Sequence, residues 1–295
     1  MSFNPLILRP RKVGTPCADG ADMKTLRFAL PALLLLGCTT SESSLPEEKT
    51  QSIDLRAAIG AADVDVVGLT ISPDTQKRYA LDSERGIYEM SDEGTLSLVL
   101  ALEDFPSADE SIQSEFTDIA AMGNNRFALT ALNEGYMLDL NANTLLRHFC
   151  YLPDDLEDTG VYQMTHSVTF DAESGQIYAQ PQTFSELDNS VVASSIGRFA
   201  EGNGAEQQWY ALPESSFVAG ALSVNPEGNL LLGNGSKLSV FDLSSQTMGA
   251  SLSLGGYGIR DIKGMAIDEA ADELLIVDGD SDKLVVLPLS VISEL

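Results

Sequence analysis

The chain is poor in the residues that most often carry chemistry. Its 295 residues include three cysteines, two histidines and one tryptophan. Cys17 and Cys38 lie near the N-terminus, which leaves Cys150 as a single thiol and excludes a disulfide framework. Cys150 falls on a predicted strand, where a lone cysteine is typical of a small core residue. No Gly-x-Ser-x-Gly, His-Glu-x-x-His, P-loop or dinucleotide-binding motif occurs, so the sequence indicates no familiar catalytic centre.

Basic residues are also scarce. The chain has 17 Lys and Arg against 44 Asp and Glu, a net charge of −27. Nucleic acid and anionic membrane surfaces are excluded as partners, because binding them requires positive charge. Two interpretations of the acids remain open. They form a solvated surface that keeps the protein soluble, or some of them bind a divalent cation.

Long apolar runs are absent except for Phe28–Leu36, which is short for a membrane span. Lys24 and Arg27 precede it, and it ends in Leu35-Leu36-Gly37-Cys38. This arrangement resembles the lipobox of bacterial lipoproteins, and the resemblance implies cleavage before Cys38 and lipidation of that residue. Met23 is then the expected start, and residues 1–37 are an upstream extension plus a signal peptide. The alternatives are a buried helix or an ordinary signal peptide.

Residues 38–50 are polar and acidic, so we expect a flexible tether rather than structure. Thr39 stands where enterobacterial lipoproteins retained at the inner membrane have Asp, and the resemblance therefore implies an outer-membrane lipoprotein of the bacterial envelope, facing either side. Several acyl chains on one cysteine anchor a protein stably. We expect contact with the membrane through the lipid anchor only, and a monomer.

Residues 51–295 are predicted to form one all-β domain. From Val67 to Leu102, four short runs rich in β-branched and aromatic residues stop at Gly, Pro, Asp or Ser, the pattern of strands joined by hairpins. The first-strand motif recurs on one apolar position at Leu69, Ile119, Val168, Leu222 and Met265. The spacing is close to the roughly 40–50 residues of a propeller blade. We therefore predict a β-propeller of about five four-stranded blades, with six as the alternative.

The last repeat has no fourth strand of its own before Leu295. Gln51–Arg56 precedes the first repeat and has the right length to supply that strand. Pairing the two termini would remove both exposed sheet edges. The sequence thus predicts a ring closed by joining the N- and C-terminal strands.

Carboxylates recur at one position of the repeat. Four residues before the aligned apolar position stand Asp65, Glu115 and Asp261, in three repeats that ring closure makes neighbours. In a propeller, the loops that lead into the first strands lie on the same face as the turns between second and third strands. Converging carboxylates suit a hard cation, so Asp65, Glu115 and Asp261 are candidate ligands for Ca²⁺. The alternative is a solvated acidic surface.

Further ligand-binding candidates share that face. They come from the turns between second and third strands, with His166 at the start of a first strand: Asp82, Glu84, Asn133, Glu134, His166, Asn234, Asp278 and Asp280. The run Asp278-Gly-Asp-Ser-Asp-Lys has acids at positions 1, 3 and 5 of a calcium loop but lacks its glycine and final glutamate. An acidic hairpin turn is the favoured interpretation, and a calcium loop is the alternative.

The first two repeats resemble a known group. VGLTISPDTQKRYALDSERGIYEMSDEG and FTDIAAMGNNRFALTALNEGYMLDLN are similar to the SdiA-regulated group of periplasmic propellers, related to esterase-like phytases, over roughly Asp65 to Asn141. Asp65 with Gly68-Leu69 matches that group's first strand, whereas Thr117-Asp118 replaces its Glu-Gly pair. The resemblance implies a propeller fold and an envelope location. Six-bladed propellers of the NHL and gluconolactonase kind have similar strand patterns.

Two functions follow from these observations. The first is a lipid-anchored envelope propeller whose acidic face binds a small ligand or another envelope protein. The second is a calcium-dependent hydrolase of phosphoesters or lactones, since a cation at the channel mouth could polarise such a substrate. The lack of a catalytic motif favours the binding module.

Overall fold

The computed structural model describes residues 50–106, 116–131, 134–150, 160–202, 204–212 and 219–295. Its strands form five four-stranded antiparallel sheets. Blade 1 contains β2 (Val66–Ile71), β3 (Arg78–Asp82), β4 (Gly86–Met90) and β5 (Leu96–Ala101). Blade 2 contains β6 (Phe116–Gly123), β7 (Arg126–Ala131), β8 (Glu134–Asp139) and β9 (Thr144–Cys150). Blade 3 contains β10 (Val161–Asp171), β11 (Gln176–Ser185), β12 (Val191–Ala200) and β13 (Glu206–Ala211).

Blades 4 and 5 complete the ring. Blade 4 contains β14 (Ala221–Val224), β15 (Leu230–Asn234), β16 (Lys237–Asp242) and β17 (Thr247–Ser253). Blade 5 contains β18 (Ile262–Asp268), β19 (Glu273–Asp278), β20 (Lys283–Pro288) and β1 (Gln51–Asp54), which comes from the other end of the chain. The prediction of an all-β propeller is confirmed, with five blades rather than six.

The first strand of each blade is the innermost. β2, β6, β10, β14 and β18 each contact the inner strands of the two neighbouring blades, which closes a ring around the axis. The apolar core lies between the blades: Tyr79 of blade 1 packs edge-to-face on Phe127 of blade 2, with ring centroids 5.1 Å apart. Alternation along the strands explains this arrangement, since each strand contributes side chains to two inter-blade layers.

The termini close the ring as predicted. β1 pairs antiparallel with β20, with Gln51 opposite Val286 and Asp54 opposite Lys283. The predicted strand Gln51–Arg56 is two residues too long, because Asp54 accepts a hydrogen bond from the Ala57 N–H (3.0 Å) and starts the helix α1 (Leu55–Ile59). An aspartate in this position caps a helix well.

A second contact joins the first and last blades. Arg78 of β3 pairs with Asp268 (2.5 Å) and Glu273 (2.7 Å) of blade 5. Arg78 and Asp268 are both largely buried, at 13% and 6% side-chain exposure. A buried ion pair that loses one partner leaves an uncompensated charge, so this contact couples the closing blade to blade 1.

The outer edges of the blades are irregular. In blades 1 to 4, the pairing between the third strand and the outermost strand shifts register once. The outermost strands are β5, β9, β13 and β17. Bulges twist an edge strand and interrupt its row of free backbone groups, which hinders pairing with another chain. Leu98 and Val99 of β5 are 52% and 40% exposed, and the bulge falls beside them.

Three 3₁₀ helices complete the described elements, at Leu102–Asp104, Gly255–Tyr257 and Leu289–Glu294. The second lies in the connection between blades 4 and 5, and the third follows β20. Across the ranges given above, no helix has both the length and the apolar character needed to cross a bilayer.

Candidate binding site at the mouth of the propeller

One face of the disc is formed by the blade-to-blade connections and by the turns between second and third strands. We call it the mouth face, because every inner strand begins there. On the opposite face, the turn carboxylates are engaged with their own turns: Asp139, Asp171 and Asp242 each accept hydrogen bonds from backbone N–H groups two and three residues further on. Such turns are a structural use of aspartate. Acidity alone therefore does not distinguish the two faces.

Bulges at the starts of the inner strands do distinguish the mouth face. At the starts of the inner strands, the pairing of the first two strands skips one residue in four of the five blades, and the skipped residues are equivalent: Val67, Thr117, His166 and Lys263. A fifth bulge, at Met122, lies at the other end of β6. In blade 4, Gly220 stands at this place and donates its N–H to the Gly233 carbonyl (2.7 Å). Bulges re-aim side chains and are frequent beside functional sites.

Blade 3 departs from the repeat on the same face. β10 has 11 residues and β11 and β12 have 10 each, whereas the other inner strands have between 4 and 8. At about 3.3 Å per residue, the extra residues carry this blade above the face. The ring of Tyr162 stacks on Phe184 at 5.1 Å, and Leu187 in the turn beyond is 94% exposed. We call Val161–Thr165 with 181–193 the blade 3 extension.

His166 lies at the base of this extension. Its ring packs edge-on against Phe184, with centroids 6.5 Å apart, and it forms a side-chain hydrogen bond with Gln182. Burial lowers the pKa of His166, while the bond to Gln182 opposes that change. The Nε2 atom is buried and has no hydrogen-bond partner in the part of the chain that the structure describes. The histidine is thus half-buried, with its Nε2 atom shielded from solvent.

Asp65 is compensated by Lys263, which was not among the residues predicted from the sequence. Its Oδ1 accepts from Lys263 Nζ (3.0 Å) and its Oδ2 from Ser83 Oγ (2.6 Å). Burial alone would raise the pKa of Asp65, but the hydrogen bonds from Ser83 and Lys263 and the charge of Lys263 outweigh it, so the pKa is lowered. The aligned repeats could have revealed Lys263, because it occupies the bulge position of blade 5.

Asp82 and Asp278 are fully buried at the ends of equivalent second strands. Asp82 accepts the N–H groups of Asp65 (3.2 Å) and Glu84 (3.0 Å). Asp278 accepts those of Arg260 (2.9 Å) and Asp261 (2.8 Å), and also the Ser281 hydroxyl. Both carboxylates therefore fasten a turn to the neighbouring connection. For Asp278, burial raises the pKa, yet these hydrogen bonds lower it below its usual value.

The remaining described candidates differ in their accessibility. Asp261 is exposed, and its backbone matches that of Asp65: each carbonyl accepts an N–H from the residue after the buried aspartate. Glu84 and Asp280 are 65% and 54% exposed, and Arg85 and Arg260 lie beside them at 3.6 and 3.3 Å.

Glu134 is engaged with Arg147 (2.8 Å) and with the Tyr136 hydroxyl. Asn234 is half-buried at the end of β15.

Three predicted residues, Cys38, Glu115 and Asn133, lie outside the described residues. The proposed calcium set of Asp65, Glu115 and Asp261 therefore has two described members. Within the described ranges, no group of three or more His, Cys, Asp or Glu side chains is arranged to hold a metal ion. The calcium site stays a prediction.

Sequence reasoning did not single out Asp118 as a buried charge. It is 2% exposed on β6 and accepts from Ile119 N (2.8 Å) and Val168 N (2.9 Å), the latter on the next inner strand. Burial raises its pKa well above 3.8, and the two N–H groups only partly oppose this. The equivalent position is Gly68 in blade 1, where an added Cβ would lie 2.5 Å from Asp118 Oδ1. The sequence alone could have revealed the buried Asp118, because the aligned repeats have small residues at the equivalent position of the other blades.

Comparisons with known proteins do not identify a family for the chain. No model of a protein family matches the chain, and no curated protein matches it. Among solved structures, 811 chains match. One of them, from a structure described as "Crystal Structure of Mitotic Checkpoint Complex", is 14% identical with a TM-score of 0.40, over 88% of this chain and 99% of that one. At that score the likeness carries no argument about function.

Proposed function

We propose that the protein is a bacterial outer-membrane lipoprotein, anchored through Cys38, whose propeller binds a small ligand or another envelope protein through the mouth face. The observation that carries the choice of face is the collection of irregularities there. Four of the five bulges between first and second strands lie on this side, as does the blade 3 extension. A repeat fold deviates from regularity at some cost in stability, and such deviations accompany functional sites.

A binding role is favoured over catalysis by how the mouth carboxylates are used. Asp82 and Asp278 hold turns, and Asp65 is paired with Lys263. These groups build a rigid surface instead of offering open acids or bases. The accessible polar groups, such as Asp261 and Asp280, suit recognition of a partner.

The choice of face can be tested with a photoreactive amino acid. We would place it at Glu84 or Leu187 on the mouth face, and at Glu93, an exposed turn residue on the opposite face, as the matched control. Irradiation of intact cells should yield adducts from the mouth positions and not from Glu93. Adducts from Glu93 alone, or the same products from all three positions, would contradict the proposal.

The anchor needs its own test. Labelled palmitate should be incorporated into the parent and not into Cys38→Ser, which should leave the membrane fraction or remain unprocessed. An unmodified Cys38 on the mature protein, seen by mass spectrometry, would remove the lipoprotein part of the proposal.

The calcium-dependent hydrolase is the second candidate, and its motivation is the exposed Asp261 beside the Asp65–Lys263 pair. Bound calcium should raise the melting temperature more than magnesium at matched ionic strength, since general screening acts equally for both ions. Asp261→Asn should abolish the difference. Equal shifts in parent and variant would leave the acids as a solvated surface.

A further inference from the structure

A cleft of about 370 Å³ opens on the mouth face beside the closing blade. It lies between the connection that carries Tyr257 and Arg260 and the paired edge of β1 and β20. Its lining includes four residues with hydroxyl groups: Thr50 and Ser52 in the segment of β1, Tyr257 in the connection, and Ser281 in the turn before β20. The volume falls in the range of about 300–1,000 Å³ that small-molecule sites occupy.

Four charged side chains line this cleft: Arg260, Lys283, Asp278 and Asp280. The carboxylate of Asp278 is buried, and its oxygens already accept hydrogen bonds from backbone N–H groups and the Ser281 hydroxyl, so it does not face the opening. Three charges therefore face the opening. Arg260 and Asp280 are 78% and 54% exposed and touch at 3.3 Å, a distance too long for a strong charged hydrogen bond.

Lys283 is exposed and has no carboxylate within ion-pair distance among the residues the structure describes. A second cleft, on the opposite face, offers a comparison. It is lined by Lys77 and Arg78, and both of those are already paired with carboxylates. The cleft on the closing blade thus contains one cationic side chain, Lys283, that has no ion-pair partner among the described residues.

We propose that this cleft binds a small zwitterion, an α-amino acid or a short peptide, with the carboxylate between Arg260 and Lys283 and the ammonium group on Asp280. Such a ligand leaves no charge of the cleft without a partner. A simple anion would take Arg260 and leave Asp280 facing the ligand's negative charge, and a simple cation would meet Lys283. The hydroxyl group of Ser52 supplies a further donor for the carboxylate.

This inference rests on the proposed binding function, because the cleft opens on the same mouth face. It names the chemistry of the ligand, which the face-selective crosslinks do not. The inference and the proposed function are tested by different measurements. Mouth-face adducts with no zwitterion binding would reject the inference and keep the proposed function. Zwitterion binding without mouth-face adducts would reject only the protein-partner part of that function.

Calorimetric titration with glycine is the direct test, and its two half-charged derivatives are the controls. N-acetylglycine lacks the ammonium group and glycinamide lacks the carboxylate, so both should bind at least tenfold more weakly than glycine. Glycylglycine separates the two charges by one further residue and distinguishes a peptide from a free amino acid. Equal binding of glycine and N-acetylglycine would make this an anion site and overturn the proposal, as would no heat from either zwitterion at millimolar concentration.

Three substitutions assign the contacts. Arg260→Gln and Lys283→Gln should each weaken glycine binding about tenfold, the loss expected for one charged hydrogen bond. Asp280→Asn should weaken glycine by a similar factor but leave N-acetylglycine unchanged or tighter, a reversal that a general loss of structure would not produce. Lys237→Gln, an exposed lysine on the mouth face of blade 4, is the control and should bind glycine as the parent does. Equal losses in all four variants would show only nonspecific attraction and reject the site.

Discussion

Asp118 carries a charge that the fold removes from water, and this has a measurable consequence. Its carboxyl group is 2% exposed and is satisfied by two backbone N–H groups, one on its own strand and one on Val168. Desolvation dominates, so the pKa of the folded state lies well above 3.8. In the unfolded chain the same group titrates near its ordinary pKa of about 3.9. We predict that Asp118→Asn removes a defined part of the pH dependence of stability.

The sign follows from proton linkage. The folded state holds the proton of Asp118 more tightly than the unfolded state. This difference in proton affinity adds to the free energy of unfolding. Its contribution is fully present below the pKa of the unfolded state and is lost as the pH rises through the pKa of the folded state. One proton changes the free energy of unfolding by about 1.4 kcal/mol per pH unit inside this window. With about 2–4 °C per kcal/mol for a domain of this size, the melting temperature of the parent should fall by roughly 3–6 °C per pH unit relative to that of the variant.

The assay is the melting temperature of parent and Asp118→Asn at several pH values and constant ionic strength. The amide places an NH₂ group against one of the two N–H donors, a cost of about 1–3 kcal/mol that does not depend on pH. The prediction is therefore tested by the difference in slope between the two plots of melting temperature against pH. A constant vertical offset between the plots does not test it. Asp261→Asn, which removes an exposed carboxyl group, should run parallel to the parent. Parallel curves for Asp118→Asn would refute the reasoning.

Three further predictions concern the ring. Gly68→Ala places a Cβ 2.8 Å from the backbone nitrogen of Ile119 and should cost about 1–3 kcal/mol in chemical unfolding, whereas Gly202→Ala, with open space around it, should be neutral. Arg78→Met leaves two carboxylates of blade 5 without their partner and should cost about 3–5 kcal/mol; a loss below 1 kcal/mol, the value of a surface pair, would contradict the buried contact. Deleting residues 51–56 exposes the edge of β20 and should cause aggregation in size-exclusion chromatography; an unchanged monomer with the parent's melting temperature would mean that β1 does not stabilise the ring.

The strands were predictable because their signal is local. Alternation and turn residues repeat in each blade, so five short segments could be aligned on Leu69 and its equivalents without knowledge of distant contacts. The closing strand was predictable for a different reason, since the last repeat lacked one. The end of β1 was not, because the capping of α1 by Asp54 competes locally with strand extension.

The contacts within the candidate site were harder to predict, because the residues that touch each other there are distant in sequence. Asp65 and Lys263 are brought together only by ring closure, although they stand 198 residues apart. Sequence patterns placed Asp82 and Asp278 on the correct face, but their burial depends on the N–H groups of the neighbouring connection. A pattern gives the position of a carboxylate in a repeat, and the surrounding backbone decides whether that carboxylate is structural or available.

The mouth face is divided into two chemically different parts. Blades 5 and 1 carry the charged groups, including the Asp65–Lys263 pair and the cleft lined by Arg260 and Lys283. Blade 3 carries the aromatic pair and the exposed Leu187. Blade 4 separates blade 3 from blade 5 and contacts both through its inner strand. Substitutions in the two parts share no partner, so their effects on stability should add. A ligand confined to the cleft would be indifferent to Leu187→Ala, whereas a protein partner that covers the whole face would lose affinity from changes in either part.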